Sequence, residues 1–311
     1  MINLILNKNI ARRFTNFLNS EKGGKRIPYG LGSKLIASFC NSSYAREIHF
    51  KNKLILLDEF LANMQDPPGI EDLLPLILVS NFSRTWRSMA LSYLSKKKLK
   101  SYCTFNGLDK FDDCYRQGKG VILVNSHFGF AESALSIFPN LGYRNFSTIV
   151  RAKGTTSLKI KGLNPKVTPN LLVFRDHTNV ELFKQLFKAR DVLKSGGIFH
   201  ILGDGYHGKS SITINFLGRA RGFRASFTEL GLSTEAFIFT IFITSDVKGY
   251  LTIDLIGPLD KGDETMDHQA RVEHMTRQYA ALLEERWKKE PQHINWGFMD
   301  KYLRQIKLNL E

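Results

Sequence analysis

From about residue 105 the chain alternates short apolar, β-branched runs with longer amphipathic segments, and that alternation constrains its fold more than any other feature. Runs of this kind fall at 121–125, 146–150, 171–174, 198–202, 212–216, 237–243 and 250–256. Helical periodicity covers 108–117, 131–138, 179–194, 226–235 and 267–289. The last of these puts Val272, Met275, Tyr279, Leu282-Leu283 and Trp287 on one face and stops before Pro291. Strands separated by helices predict an α/β architecture with a mixed, largely parallel central sheet flanked by helices.

The first hundred residues read differently. Residues 1–18 carry Ile2, Leu6, Ile10, Phe14 and Phe17-Leu18 on one helical face with Arg12 and Arg13 opposite. Residues 71–95 predict a long helix: Glu71-Asp72 suit its positive end, Pro75 belongs in the first turn, and Phe82, Trp86, Met89 and Tyr93 form a stripe. No linker, repeat or low-complexity segment divides the chain. The expectation is one domain over 1–311, a helical N-terminal layer (1–100) on an α/β core (101–311).

Composition narrows the function classes. Cys40, Cys103 and Cys114 are too few and scattered for a disulfide framework or a metal site. The first residues lack the apolar core and cleavage site of a signal peptide. The longest apolar run, LLPLILV at 73–79, falls short of the ~20 residues a membrane span requires. A cytoplasmic protein, soluble or lying at the inner face of the cell membrane, is expected. Lys and Arg number 44 against 29 acidic residues, a net charge of +15. The densest basic runs are 96–98 with Lys100, and Arg219-x-Arg221-x-x-Arg224. No nucleic-acid motif accompanies them, so peripheral contact with an anionic membrane or an acidic carrier protein ranks above nucleic acid.

Chemistry-bearing residues cluster just past apolar runs. His127 follows 121–125, and Glu132 stands five positions later at the start of a predicted helix. A His–Glu pair there could take a proton from an attacking hydroxyl or amine. Arg151 follows 146–150 and Asp204 follows 198–202. Open α/β sheets form sites outside the carboxyl ends of their strands, so the three places can converge on one crevice. Residues 203–210, GDGYHGKS, also fit a phosphate-binding loop pattern. That loop must open a helix, whereas Ile212, Ile214 and Phe216 alternate with polar residues as a strand does. Gly203, Gly205 and Gly208 read instead as a tight turn that lets a substrate approach the backbone.

Together these pieces resemble the bacterial lipid A late acyltransferases, the lauroyl and myristoyl transferases of the lysophospholipid (glycerolipid) acyltransferase-like superfamily. The resemblance runs from about residue 100 to 300. GKGVILVNSHFGFAE resembles the family's strand followed by H-x-x-x-x-[DE], here His127 and Glu132. TIVRAKGTTSLK points to Arg151, GGIFHILGDG to Asp204 and Gly205, INFLGRARGF to the family's F-[FL]-G-[RK] element, and ERWKKEPQHINW to its closing segment. Phe130-Ala131 depart from the polar residue and tryptophan of many relatives, and the family's common N-terminal transmembrane helix has no counterpart here. The resemblance implies transfer of a fatty acyl chain from an acyl carrier protein or CoA thioester to a hydroxyl or amine of a lipid or amphipathic acceptor. No metal and no cofactor beyond that co-substrate is expected. His127 would be general base, with Glu132 accepting the other imidazole N–H. Arg151, or amides at the Phe128-Gly129 turn, would bind the oxyanion. Asp204 and Gly205 would shape a substrate pocket, and Arg219, Arg221 and Arg224 would meet an acidic carrier or phosphates. A thioesterase using the same pair, and a non-catalytic lipid- or nucleic-acid-binding protein, are the alternatives.

Overall fold

The structure is a computed structural model, and it describes residues 13–14, 16–42, 45, 51–64, 66–151, 163–174, 179–205, 211–263 and 265–305. Among the described residues nine strands form, in chain order: β1 (Cys103–Asn106), β2 (Val121–Asn125), β3 (Phe146–Arg151), β4 (Asn170–Phe174), β5 (Ile198–Leu202), β6 (Ser211–Phe216), β7 (Arg219–Arg224), β8 (Phe237–Ser245) and β9 (Leu251–Ile256). Seven make one sheet in the order β1-β9-β8-β2-β5-β3-β4, and β6 with β7 makes a separate antiparallel hairpin. The block β8-β2-β5-β3-β4 is parallel throughout. β9 runs antiparallel to β8 and parallel to β1, which makes the sheet mixed. The expected α/β class is therefore the observed one.

The central strands β2, β5 and β8 are buried at nearly every position because both faces are covered, the rule for parallel sheets. Val121 and Leu123 of β2 enter one core cluster while Ile122 and Val124 enter the other. In β8, Phe239, Ile241 and Ile243 face the first cluster and Ile238 and Phe242 the second. This two-residue alternation across a pleated sheet distributes one continuous run between two cores.

The N-terminal helices α1 (Glu21–Arg26), α2 (Tyr29–Cys40), α3 (Lys51–Leu61), α4 (Ile70–Ser92) and α5 (Lys96–Tyr102) precede the sheet. Leu78, Phe82 and Trp86 of α4 join the first cluster with β2 and β8 side chains. Tyr29 stacks on Trp86 with centroids 5.7 Å apart. The fully buried Arg87 donates to Tyr29 Oη (2.6 Å) and to Gly249 O (3.1 Å) in the β8–β9 turn, tying helical layer to sheet. Pro75 lies inside α4 rather than in its first turn. Burial of most of 73–92 carries the helix past the missing donor. Of the predicted helix at 1–18, residues 13–14 and 16–18 are helical; 1–12 and 15 lie outside the described residues.

The later helices are α6 (Leu108–Arg116), α7 (Ala134–Leu141), α8 (Asn179–Lys194), α9 (Ser226–Thr234), α10 (His268–Lys289) and α11 (Trp296–Leu303). The segment predicted helical at 131–138 opens as a 3₁₀ turn at Ala131–Ser133 before α7. β1 and β7 have no counterpart among the predicted strands. β7 was hidden because arginines fill inward positions where an apolar alternation would show.

Among the described residues, the buried His200 and His293 weaken this fold at acid pH. Burial lowers His200 to about 4, and burial with Arg84 and Arg87 nearby lowers His293 to about 3. Both sit below the ordinary value of 6.5, so the native state binds fewer protons than the unfolded chain. Their contribution to stability is complete above pH 6.5 and is lost as pH falls toward 4. Thermal midpoints measured from pH 7 to 4.5 should drop steadily, and His200→Leu should flatten that slope whatever it does to the midpoint at pH 7. An unchanged slope would refute the assignment.

Candidate active site

The carboxyl edge of the parallel block brings together two residues 77 positions apart. β2 and β5 are neighbours with Asn125 opposite Leu202, so a residue two past each strand meets its counterpart. Those residues are His127 and Asp204. His127 Nδ1 lies 2.8 Å from Asp204 Oδ1, and the His127 amide donates to Asp204 Oδ2 at 2.7 Å. One carboxylate thus fixes both the ring and the backbone that carries it.

Asp204 is 1% exposed. Burial alone would raise its carboxyl, but the pull of His127, its hydrogen bonds and Arg221 outweighs burial and holds it below the usual carboxylate range. An ionised Asp204 can only accept, so Nδ1–H is the donor, and in the neutral ring Nε2 is the nitrogen that carries the lone pair. The imidazole is 36% exposed, accessible from the crevice. Phe298 of α11 stacks on it with centroids 3.9 Å apart and planes 16° from parallel.

The loop bearing His127 is clamped on both sides. Tyr279 of α10 donates to Asn125 O at 2.8 Å. Gly129 N donates to His293 O (2.7 Å), Phe130 N to Ile243 O (2.8 Å) and Asn295 N to His127 O (3.2 Å). Phe128 and Ile294 form an isolated antiparallel bridge. The closing segment PQHINW, a 3₁₀ turn followed by one bridging residue and the start of α11, therefore works as a strap on the histidine loop. Gly129 has φ +58°, and a Cβ there would meet Ile243 O at 2.0 Å, so the turn requires glycine.

The other expected residues take up different places. Glu132 is exposed, and the carboxylate on the imidazole that spacing assigned to it is Asp204 instead. Glu132 and the Arg84 guanidinium interact: burial lowers Arg84 to about 10, and Glu132 opposes that shift. Arg151 ends β3 opposite Phe174 of β4, at the same carboxyl edge. Gly205 lets Arg224 cross close by, since a Cβ would meet Arg224 Nε at 2.7 Å.

Arg221 is fully buried, 4.6–5.1 Å from the rings of Phe216, Phe223 and Trp287, with Nη2 3.3 Å from Asp204 O and 4.0 Å from Asp204 Oδ2. Arg219 is buried too and donates to Leu303 O and Gln305 O, both at 2.8 Å. Neither can meet an acidic carrier at the surface, because strand alternation turns both inward; of the three arginines Arg224 alone is exposed. In the phosphate-loop pattern, 206–210 lie outside the described residues, and 211–216 are strand β6, not a helix. Phe298, Tyr279 and His293 carry no signature in a single sequence. Their roles come from rings and backbone atoms that only folding brings to residue 127.

Among the described residues, no three His, Cys, Asp or Glu side chains group so as to hold a metal ion. A carboxylate-anchored imidazole at the carboxyl edge of a mostly parallel α/β sheet defines an acid–base site able to deprotonate a hydroxyl or amine. Residues 78–302 match the family model described as bacterial lipid A biosynthesis acyltransferase, and the chain belongs to that family. It is an enzyme that transfers acyl groups to a lipid acceptor. No curated protein matches the chain.

Arg221 should behave as a structural counter-ion. Arg221→Gln removes one partner of a buried pair and should lower the unfolding free energy by roughly 3–5 kcal/mol. The exposed Lys97→Gln should stay within about 0.5 kcal/mol of the parent. Denaturant unfolding of both variants checks this.

Proposed function

We propose that the enzyme moves a fatty acyl chain from an acyl thioester, on acyl carrier protein or CoA, to a hydroxyl or amine of a lipid or lipid-like acceptor, with His127 as general base. The observation that carries this reading is the Asp204 carboxylate on Nδ1, which leaves Nε2 basic.

The acceptor proton passes to Nε2 as its oxygen or nitrogen attacks the thioester carbonyl. The new bond forms, the carbonyl oxygen becomes an oxyanion, and collapse breaks the C–S bond. The imidazolium returns the proton to the departing thiolate. Asp204 stabilises that imidazolium and keeps the ring in one tautomer. For the oxyanion, the amides of Gly129 and Phe130 already donate to His293 O and Ile243 O, which favours Arg151 at the end of β3. Glu132 acts at one remove, by balancing the buried Arg84 charge beside the strap.

The remaining surface charge fits this reading. With Arg219 and Arg221 inside, 96–98, Lys100 and Arg224 are what an acidic carrier would meet. No helix among the described residues is long and apolar enough to cross a membrane. A lipid acceptor would then be reached by peripheral contact, at the inner face of the cell membrane.

His127→Ala should lower acyl transfer by about 10²–10⁴-fold, the range a positioned general base supplies, with the fold intact by circular dichroism. Asp204→Asn should reduce kcat more than Glu132→Gln does, because only Asp204 touches the imidazole. Thioester consumption should depend on added acceptor. A folded His127→Ala variant with full activity, or equal thioester turnover without acceptor, would sink the proposal.

A further inference from the structure

Helix α8 is apolar on two opposite sides. Gln185, Ala189 and Leu193 are buried, and Ala189 and Leu193 share a cluster with Leu172 of β4 and Phe199 of β5. Phe183 and Phe187 are 59% and 61% exposed. Each lies two residues from a buried position, about 160° around the helix, so the pair projects straight away from the core. A solvated helix normally carries polar residues there, and two phenylalanines one turn apart call for a partner.

Charge identifies the partner. Lys184 and Lys188 follow the two phenylalanines directly and are exposed, and farther along the outward stripe an exposed Asp191 precedes an exposed Lys194. Aromatic side chains bordered by lysines suit the boundary between headgroups and acyl chains of an anionic bilayer. Topology gives this position a meaning. α8 follows the carboxyl end of β4 and runs back against the parallel strands, so its first turns lie at the edge that carries His127. Phe183 sits in the second turn and Phe187 at the middle of the helix, with Lys194 at the far end.

We infer that the Phe183–Phe187 face of α8 is a membrane-docking surface that inserts into anionic lipid and brings the bilayer to the mouth of the site. This rests on the peripheral-contact reading and names the surface responsible.

Co-sedimentation of the full chain with phosphatidylcholine vesicles, with and without phosphatidylglycerol, tests it. The protein should bind the anionic vesicles. Phe183→Ser/Phe187→Ser should weaken binding ~10-fold or more without lowering the unfolding midpoint, since both side chains are exposed. Lys184→Glu/Lys188→Glu should weaken it as well and reduce its salt dependence. The same serine substitutions at Leu31 and Leu35, the exposed pair on α2, should leave it unchanged. Parent-level binding by both α8 variants would overturn the surface and leave membrane contact standing. Loss at Leu31 and Leu35 instead would place docking elsewhere. Failure of the parent chain to bind would overturn both ideas. Unaltered vesicle binding with lost affinity for an acidic acyl carrier protein would make α8 a protein dock and overturn the proposal.

Discussion

A single buried anion organises the active edge of this enzyme. Asp204 accepts from the His127 ring and amide and lies against Arg221, and together these groups outweigh the burial that would raise its carboxyl at 1% exposure. An isolated charge at that depth would neutralise itself. Arg221 in turn must be solvated by the protein. The rings of Phe216, Phe223 and Trp287 supply that, and they come from both strands of the β6–β7 hairpin and from α10. The hairpin stands outside the main sheet, but the charge state of the histidine's partner depends on it.

This dependence explains why the His–Asp pair was only half legible. Both residues were visible as polar positions just past apolar runs, and both runs were bounded correctly at 121–125 and 198–202. What the chain does not display is strand order. β5 lies between β2 and β3, so residues separated by 77 positions become neighbours while Arg151, nearer in sequence, stands two strands away. Glu132 drew attention because five residues is a conspicuous spacing, yet it sits in a 3₁₀ segment beyond a turn, and Asp204 holds the imidazole Nδ1. Local spacing can nominate a partner, and only register can assign one.

The same limit applies to charge. Composition counts 44 basic residues alike, and the run Arg219-x-Arg221-x-x-Arg224 reads as surface. In a strand, alternate positions face opposite ways, so 219 and 221 both turn inward and 224 turns out. Arg87 is another cation taken inside, where it joins the helical layer to the β8–β9 turn. Buried arginine is structural here because its planar, weakly hydrated head stacks on rings and bonds carbonyls at a lower desolvation cost than a compact, strongly hydrated lysine ammonium.

Moving these cations inside changes what the net charge means for recognition. A +15 chain attracts anionic surfaces diffusely, but direction comes from the charges that remain outside beside apolar groups. On α8 those are lysines next to the exposed Phe183 and Phe187, on a helix that begins at the carboxyl edge of the parallel strands. Parallel β–α–β geometry forces this coincidence. Every helix that follows a parallel strand begins at the carboxyl edge, so the first turns of such helices are the surface nearest a site built there. A lipid acceptor has its reactive group at the headgroup boundary and its chains below. On the docking proposed for α8, a shallow apolar anchor near that edge would present the group to His127 without extracting the lipid from the bilayer.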